Sequence, residues 1–173
     1  RRLGGGAVIG GRVAHGLGHA EMGHFKVPRH PLDRSFAGIC PFHSFLDMPV
    51  DILQRTTNVN FLGTYTMCQA AAQQMVKQGR DAQGRGGSII AISSISALVG
   101  GELQTHYTPT KAGVHSLMQS CAIALGQFGI RCNSVMPGTV LTDINKDDLS
   151  DPQKRAHLEK RIPLGRFGEP KDI

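Results

Sequence analysis

The sequence predicts an α/β fold with a parallel sheet. Two observations indicate this class: apolar residues recur at helical spacing in several segments, and short runs of apolar and small residues lie between those segments. Strands that alternate with helices along a chain pair side by side in parallel. The length of 173 residues is enough for one domain with one core.

The first 43 residues differ from the rest of the chain in composition. They hold five of the eight histidines and nine of the 22 glycines, and they show little helical periodicity. Two short apolar runs on either side of Gly10 and Gly11 predict a hairpin, and residues 24–43 are expected to form a loop. We therefore predict a loop-rich segment over 1–43, not an independent domain, and a second region over 44–173.

Three helices are predicted in the second region. The first spans 50–78 and ends at Gly79, because glycine readily adopts the left-handed conformation that terminates helices. The second spans 106–127, and Pro109 falls in its first turn, where proline is tolerated. The third begins at a capping box formed by Ser150 and Gln153.

Two strands are predicted between these helices, over 88–93 and 131–136. Their continuous apolar character is typical of strands that are buried on both faces of a parallel sheet. His106 and His115 are expected to be surface residues of the second helix. No internal repeat is visible.

Charge and composition exclude several classes of protein. The net charge of +6 is spread without a basic stripe, so no nucleic-acid partner is expected. No apolar run approaches the roughly 20 residues that cross a bilayer, so we expect a soluble, cytoplasmic protein without a membrane partner. The four cysteines are scattered and form no C-x-x-C pair, which favours reduced thiols.

Ser94, Tyr107 and Lys111 form the constellation that can carry chemistry. Tyr107 and Lys111 are four residues apart at the start of a helix, so their side chains share one face. A neighbouring ammonium favours the phenolate, and we therefore expect a lowered pKa for Tyr107. Ser94 follows a buried strand at the carboxyl edge of the sheet, where open α/β sheets bind ligands.

These residues also carry a family resemblance. The strand GGSIIAISS, the spacing from Ser94 to Tyr107, the pentad YTPTK and the later PGTVLT together resemble the short-chain dehydrogenase/reductase family. The family's N-x-x-G pattern falls on Asn60 and Gly63, so Asn60, Ser94, Tyr107 and Lys111 match its catalytic tetrad. The segments SISALVGG, QTHYTPTKAG and TDINKDDLSD resemble the sugar 1-dehydrogenases of this family, in particular those of L-rhamnose catabolism.

The resemblance implies an NAD- or NADP-dependent oxidoreductase that oxidises an aldose such as L-rhamnose at C1 to a lactone. Tyr107 would accept the hydroxyl proton, Lys111 would lower the tyrosine pKa and hold the nicotinamide ribose, and Ser94 would orient the substrate. Asn60 would hold a water molecule that passes protons to solvent. A homo-oligomer is also implied. Further cofactor contacts are carried over to Pro137, Gly138, Val140 and Thr142.

The resemblance covers roughly residues 37–173. The family's glycine-rich phosphate loop, T-G-x-x-x-G-x-G, is not found ahead of this region. We therefore expect the second half of an incomplete Rossmann-type doubly wound sheet, and no activity from this chain alone. The choice between NAD and NADP stays open, because the residue that contacts the ribose 2′ position lies in the missing half.

Residues 1–43 resemble a different family, the ROK sugar kinases, and in particular the fructokinases. Glu21, Gly23 and His24 match an E-x-G-H motif, and Cys40 and His43 match part of a zinc loop. No metal is predicted, because His24, Cys40 and His43 are three ligands where a structural zinc site needs four. A ROK-type kinase fragment and a non-catalytic remnant therefore stay open as alternatives to the dehydrogenase.

Overall fold

The computed structural model describes residues 38–145 and 148–173, and the backbone of three strands at 7–9, 12–14 and 32–35. The chain divides into two compact units, 1–136 and 137–173. The proposed boundary between residues 43 and 44 is not tested by this division and stays a prediction.

The amino-terminal part contains three short strands. Strands β1 (Ala7–Ile9) and β2 (Arg12–Ala14) pair antiparallel, as predicted for the hairpin, whose two turn glycines lie outside the described residues. Strand β3 (Leu32–Ser35) lies where a loop was predicted, so that prediction is wrong for these four residues. Its sequence Leu-Asp-Arg-Ser has little strand propensity, and the backbone edge of a neighbouring strand supplies the pairing instead.

The main sheet is parallel, which confirms the α/β prediction. Strand β4 (Gly87–Ile92) is central, with β3 on one side and β5 (Ile130–Val135) on the other. Asp33, Ile89 and Cys132 are in register across the three strands. Because the strands are parallel, the segments that follow β4 and β5 leave from the same edge of the sheet.

The helix predicted over 50–78 is helical over that range, but it is not one regular α-helix. It consists of α1 (Val50–Thr57), a π-helical turn over Asn58–Leu62 and α2 (Gly63–Gln78). The predicted end is confirmed, because Gly79 has a φ of 74°. A π-turn inside a helix is rare and is frequent at functional sites.

Helix α3 (Thr108–Leu125) carries Pro109 in its first turn as predicted, and α4 (Pro152–Glu159) is the helix of the second unit. The cap of α4 is not Ser150. The Asp151 side chain accepts a hydrogen bond of 2.9 Å from the Gln153 amide, because Asp151 directly precedes the first helical residue. No helix in the described part of the chain is long and apolar enough to cross a membrane.

One apolar core joins α2 and α3 to the sheet. Side chains at positions 68, 71, 72 and 75 form one stripe on α2, and they pack with Val114 and Met118 of α3 and with alternate residues of β4 and β5. The expectation that β5 is buried on both faces is wrong, because its residues alternate: Ile130 and Cys132 are buried, whereas Arg131 is exposed.

Candidate functional site

The end of β4 places two serines at the edge of the sheet. The Ser93 hydroxyl is buried and donates a 2.7 Å hydrogen bond to the Lys111 carbonyl, which ties β4 to the first turn of α3. Ser94 is extended, and its hydroxyl accepts a 3.1 Å hydrogen bond from the Ser96 amide. The Ser94 side chain is also near enough to the Tyr107 phenol to lower its pKa, so the structure brings these two predicted site residues together.

Tyr107 and Lys111 lie one helical turn apart. The Lys111 amide donates to the Tyr107 carbonyl at 3.2 Å, and the Lys111 Nζ atom is 5.8 Å from the centre of the Tyr107 ring. The predicted proximity is therefore present. Tyr107 directly precedes α3, whose start fixes the position of both side chains.

The expected lowering of the Tyr107 pKa is not found. Burial raises the pKa of Tyr107 above its ordinary value of 10, and the nearby Ser94 side chain opposes this rise only in part. The charge of Cys40 raises it further. The lowering of the Tyr107 pKa was expected from the nearby Lys111 ammonium alone. Desolvation of the phenolate has the larger effect on this pKa.

Lys111 is buried, with 5% of its surface exposed. Burial lowers the pKa of Lys111 to about 8, and the charge of Cys40 opposes this change. The ammonium donates a 3.0 Å hydrogen bond to the Ile92 carbonyl. A Cβ atom on Gly38 would lie 3.4 Å from the Lys111 Nζ atom, so the glycine leaves space beside the ammonium.

Asn60 lies in the π-helical turn and is fully buried. Its side-chain oxygen accepts from the Ile39 amide at 2.8 Å, and its side-chain nitrogen donates to the Ile39 carbonyl at 3.0 Å and to the Thr110 hydroxyl at 3.2 Å. The hydroxyl of Thr64 donates to the Asn60 carbonyl at 2.8 Å. Both side-chain donors are therefore used within the protein, and Asn60 holds the segment that follows Gly38 against the helices.

The segment 38–43 was not predicted to belong to the site. Ile39 is fixed by Asn60, and the His43 amide donates to the Leu103 carbonyl at 3.1 Å. Between them lies Cys40, which in its thiolate form raises the pKa of both Tyr107 and Lys111. Nothing in the residue pattern of 38–43 indicates this placement, because the contact to Ile39 is made through its backbone.

His106 is not a surface residue, contrary to the prediction. Only 2% of its surface is exposed, and neither ring nitrogen has a hydrogen-bond partner within the described residues. Desolvation lowers the pKa of His106, and the nearby Pro41 carbonyl opposes this shift. His115 is half-buried and pairs with the Ser134 hydroxyl at 2.8 Å.

The predicted cofactor contacts after β5 lie in the unit 137–173. The chain there is held by hydrogen bonds from the Leu141 amide to the Gly168 carbonyl and from the Gly168 amide to the Thr139 carbonyl. The Asn145 side chain donates to the Val140 carbonyl at 2.8 Å and accepts from the Thr142 amide at 3.2 Å. The contact role of Pro137, Gly138, Val140 and Thr142 stays a prediction.

The three candidate zinc ligands His24, Cys40 and His43 cannot be compared as a set. His24, like the rest of the E-x-G-H motif, lies outside the described residues. Within the described ranges, no group of three or more His, Cys, Asp or Glu side chains is arranged to hold a metal ion.

Comparison with known proteins identifies the family. Residues 34–173 match the sequence family described as enoyl-(acyl carrier protein) reductase. Over 139 residues, 80% of this chain, the sequence is 71% identical to L-rhamnose 1-dehydrogenase (NAD(P)(+)) from Sphingomonas sp. strain SKA58. It is 65% identical over 137 residues to the enzyme of the same name from Azotobacter vinelandii, covering 79% of this chain. The chain belongs to the short-chain dehydrogenase/reductase family.

Solved structures of this family share the fold. A short-chain type dehydrogenase/reductase from Mycobacterium marinum is 36% identical, with a TM-score of 0.69 over 79% of this chain and 51% of that chain. A gluconate 5-dehydrogenase from Burkholderia cenocepacia, solved with NADP and tartrate, is 28% identical with a TM-score of 0.73, over 80% and 52% of the two chains.

The chain spans about half the length of the relatives that it matches, 53% of the Sphingomonas protein and 52% of the Azotobacter protein. The family match begins at residue 34 and therefore includes Cys40 and His43, which were compared with a kinase zinc loop. The sugar-kinase alternative gains no support from these relatives.

Proposed function

We propose that the protein is an NAD(P)-dependent oxidoreductase that oxidises an aldose of the L-rhamnose type at C1 to a lactone. The observation that carries the proposal is that Ser94, Tyr107 and Lys111 lie close together beyond the end of β4. Asn60 fixes the segment 38–43 beside them through its hydrogen bonds to Ile39. The relatives named L-rhamnose 1-dehydrogenase support the choice of sugar.

Tyr107 acts as the general base in this proposal. Its phenolate oxygen takes the proton of the C1 hydroxyl, while the C1–O bond becomes a carbonyl as the hydride leaves C1. Ser94, whose side chain lies near the phenol, positions the same substrate oxygen beside Tyr107. The raised pKa of Tyr107 means that an ammonium or a bound ligand must stabilise the phenolate for the reaction to proceed near neutral pH.

NAD(P), when bound, supplies the hydride acceptor. The Lys111 ammonium has three N–H donors, and among the described residues the Ile92 carbonyl accepts one hydrogen bond from it. The remaining N–H groups can donate to the hydroxyl groups of a cofactor. Gly38 adds no side chain beside the ammonium. Lys111 would therefore hold the ribose hydroxyls, and at a pKa of about 8 it remains mainly protonated at neutral pH.

Replacement of the phenol oxygen tests this function. We expect Tyr107→Phe to reduce the oxidation of L-rhamnose at least about a hundredfold, because a general base typically contributes 10²- to 10⁴-fold. The assay uses this chain joined to the amino-terminal half of the Sphingomonas relative, with NAD and NADP tested separately. Tyr65→Phe is the matched control, since Tyr65 is the other tyrosine and lies exposed on α2.

Two further outcomes decide between the alternatives. A Tyr107→Phe variant that retains more than about a hundredth of the rate contradicts the general-base role. Thermal stabilisation of the chain by ATP, and not by NAD or NADP, would favour the kinase alternative, because a ligand that binds the native state raises its melting temperature. No stabilisation by any of the three would favour the non-catalytic remnant.

The oligomeric state belongs to the same proposal. Val50 and Leu53 of α1, Tyr65 of α2 and Ile123 of α3 are exposed, with Ile123 at 85%. Exposed apolar side chains on several helices are typical of surfaces that associate. A homo-oligomer is therefore expected, and light scattering that shows a monomer across a wide concentration range would contradict it.

A further inference from the structure

Thr110 makes two hydrogen bonds that join different parts of the site. It is 6% exposed, and its hydroxyl donates to the Tyr107 carbonyl at 2.7 Å and accepts from the Asn60 side-chain nitrogen at 3.2 Å. The directions are fixed, because an amide nitrogen only donates and the hydroxyl has one hydrogen to give. Thr110 is thus both a donor and an acceptor within a buried network.

The first of these bonds alone would have only local importance. Threonine hydroxyls often bond a carbonyl three or four residues earlier in the same helix. Thr66 does so on α2, where its exposed hydroxyl bonds the carbonyls of Leu62 and Gly63. What distinguishes Thr110 is the second bond, which crosses from α3 to the π-helical turn.

The network continues from Asn60 into the segment 38–43. Asn60 pairs with both backbone groups of Ile39, and the neighbouring Gly38 lies against the Lys111 ammonium and the Asn60 oxygen. A continuous path of hydrogen bonds therefore runs from the Tyr107 backbone through Thr110 and Asn60 to Ile39. It links three separate pieces of chain: the start of α3, the π-helical turn and the segment 38–43.

We propose that Thr110 is a positioning residue, which sets the place of Tyr107 and, through Asn60, of the segment 38–43 for the proposed oxidation. This inference rests on the proposed function. Valine has the shape of threonine but accepts no hydrogen bond, so Thr110→Val leaves a buried Asn60 hydrogen without its acceptor. The Asn60 side chain then turns toward another acceptor, and Ile39 loses its fixed place.

The kinetic experiment compares Thr110→Val with Thr110→Ser, which keeps the hydroxyl. In the joined enzyme, we expect Thr110→Val to lower kcat about ten- to hundredfold with the KM for the sugar nearly unchanged, because small misplacements of reacting groups are costly. Thr110→Ser should restore kcat. Thr66→Val is the matched control, since it removes an exposed threonine hydroxyl that bonds the carbonyls of the preceding helical turn, Leu62 and Gly63.

A second measurement does not depend on activity. The protein has two tyrosines and no tryptophan, so the ultraviolet absorbance of tyrosinate in a Tyr65→Phe background reports Tyr107 alone. A displaced Tyr107 changes its burial, which is the largest influence on the phenol pKa, and its distance from the Ser94 side chain, so Thr110→Val should shift the titration away from that of the parent chain. Thr110→Ala provides a second variant without the hydroxyl, should the valine variant fold poorly.

The outcomes separate this inference from the proposed function. Unchanged kcat and unchanged tyrosine titration in folded Thr110→Val, even with a lower melting temperature, would overturn the positioning role. A serine variant as impaired as the valine variant would also overturn it. If the parent enzyme does not oxidise the sugar, the proposed function fails, and the titration alone then decides whether Thr110 positions Tyr107.

Discussion

At the scale of single residues, burial determines the ionisation of the site more strongly than the charges within it. Tyr107 and Lys111 are close together, yet desolvation is the largest influence on the pKa of each. It raises the pKa of the phenol and lowers the pKa of the ammonium, so both groups are driven toward their neutral forms. Formation of the Tyr107 phenolate and of the Lys111 ammonium therefore costs free energy in this buried site. A bound ligand that supplies hydrogen bonds to these charged groups would offset this cost.

The first prediction concerns the stability cost of Lys111. The pKa of Lys111 is about 8 in the folded chain, and its ordinary value, which applies to the unfolded chain, is 10.5. The unfolded chain therefore binds more protons than the folded chain between these pH values. Stability contributed by this group therefore rises as the pH rises from about 8 to 10.5. We expect Lys111→Met to raise the free energy of unfolding at pH 7 by roughly 1 to 3 kcal/mol, partly offset by the unpaired Ile92 carbonyl.

Urea unfolding at several pH values measures this effect. The advantage of Lys111→Met over the parent chain should shrink as the pH rises through the window from about 8 to 10.5. Lys77→Met is the control, because Lys77 is an exposed residue of α2. An advantage that stays constant with pH would show that the cost of Lys111 is not a cost of its charge.

At the scale of elements, the sequence was most informative where one local rule decides the structure. The helix end at Gly79 and the place of Pro109 in the first turn of α3 could be predicted, because each depends on the backbone properties of one residue. The π-helical turn and β3 could not. The π-helical turn adds a residue to one turn of the helix, and no residue type in the sequence indicates it. Strand β3 is a polar segment that forms a strand by pairing with β4.

The turn that leads into β4 gives the second prediction. The Gly86 amide donates to the Gly129 carbonyl at 2.8 Å, and a Cβ atom on Gly86 would overlap the Phe128 carbonyl oxygen. Because backbone atoms cannot rotate away as a side chain does, Gly86→Ala must separate these two segments. We expect a loss of about 1 to 3 kcal/mol in the free energy of unfolding, as for other overpacked sites.

Gly126→Ala is the matched control for this substitution. Gly126 has a helical φ of −56°, and apart from its chain neighbours and its own helix backbone nothing lies within 4 Å of the position of a Cβ there. Alanine there should be neutral or slightly stabilising, because it lowers the conformational entropy of the unfolded chain. Denaturant unfolding of both variants provides the comparison, and equal midpoints would contradict the overlap at Gly86.

At the scale of the whole molecule, which residues lie at the candidate site could be predicted better than what each of them contacts. Ser94, Tyr107 and Lys111 stand at a recognisable spacing, and the structure brings them together. The task of Asn60 could not be predicted, because its partner is the backbone of Ile39, 21 residues away. Backbone groups are present at every position, so a sequence does not mark which of them a buried side chain will bond.

The two units of the chain differ in what holds them together, and this gives the last prediction. The unit 1–136 contains a central strand with partners on both sides and a cluster of ten buried apolar residues. In the described part of the unit 137–173, the buried apolar residues are Leu149 and Phe167. One of its ion pairs, between Arg166 and Asp172, is exposed, and exposed pairs contribute little stability.

We therefore expect the unit 137–173 to open at a lower free energy than the central sheet. Hydrogen exchange measures this directly, because the Leu141 and Gly168 amides are hydrogen-bonded, as are those of β4, so a difference in rate reports opening of the structure. The two amides of the second unit should exchange at similar rates to each other and much faster than the amide of Ile89, which is fully buried. Equal protection of Leu141, Gly168 and Ile89 would show that the chain unfolds as one cooperative unit, in spite of the smaller buried core of its last 37 residues.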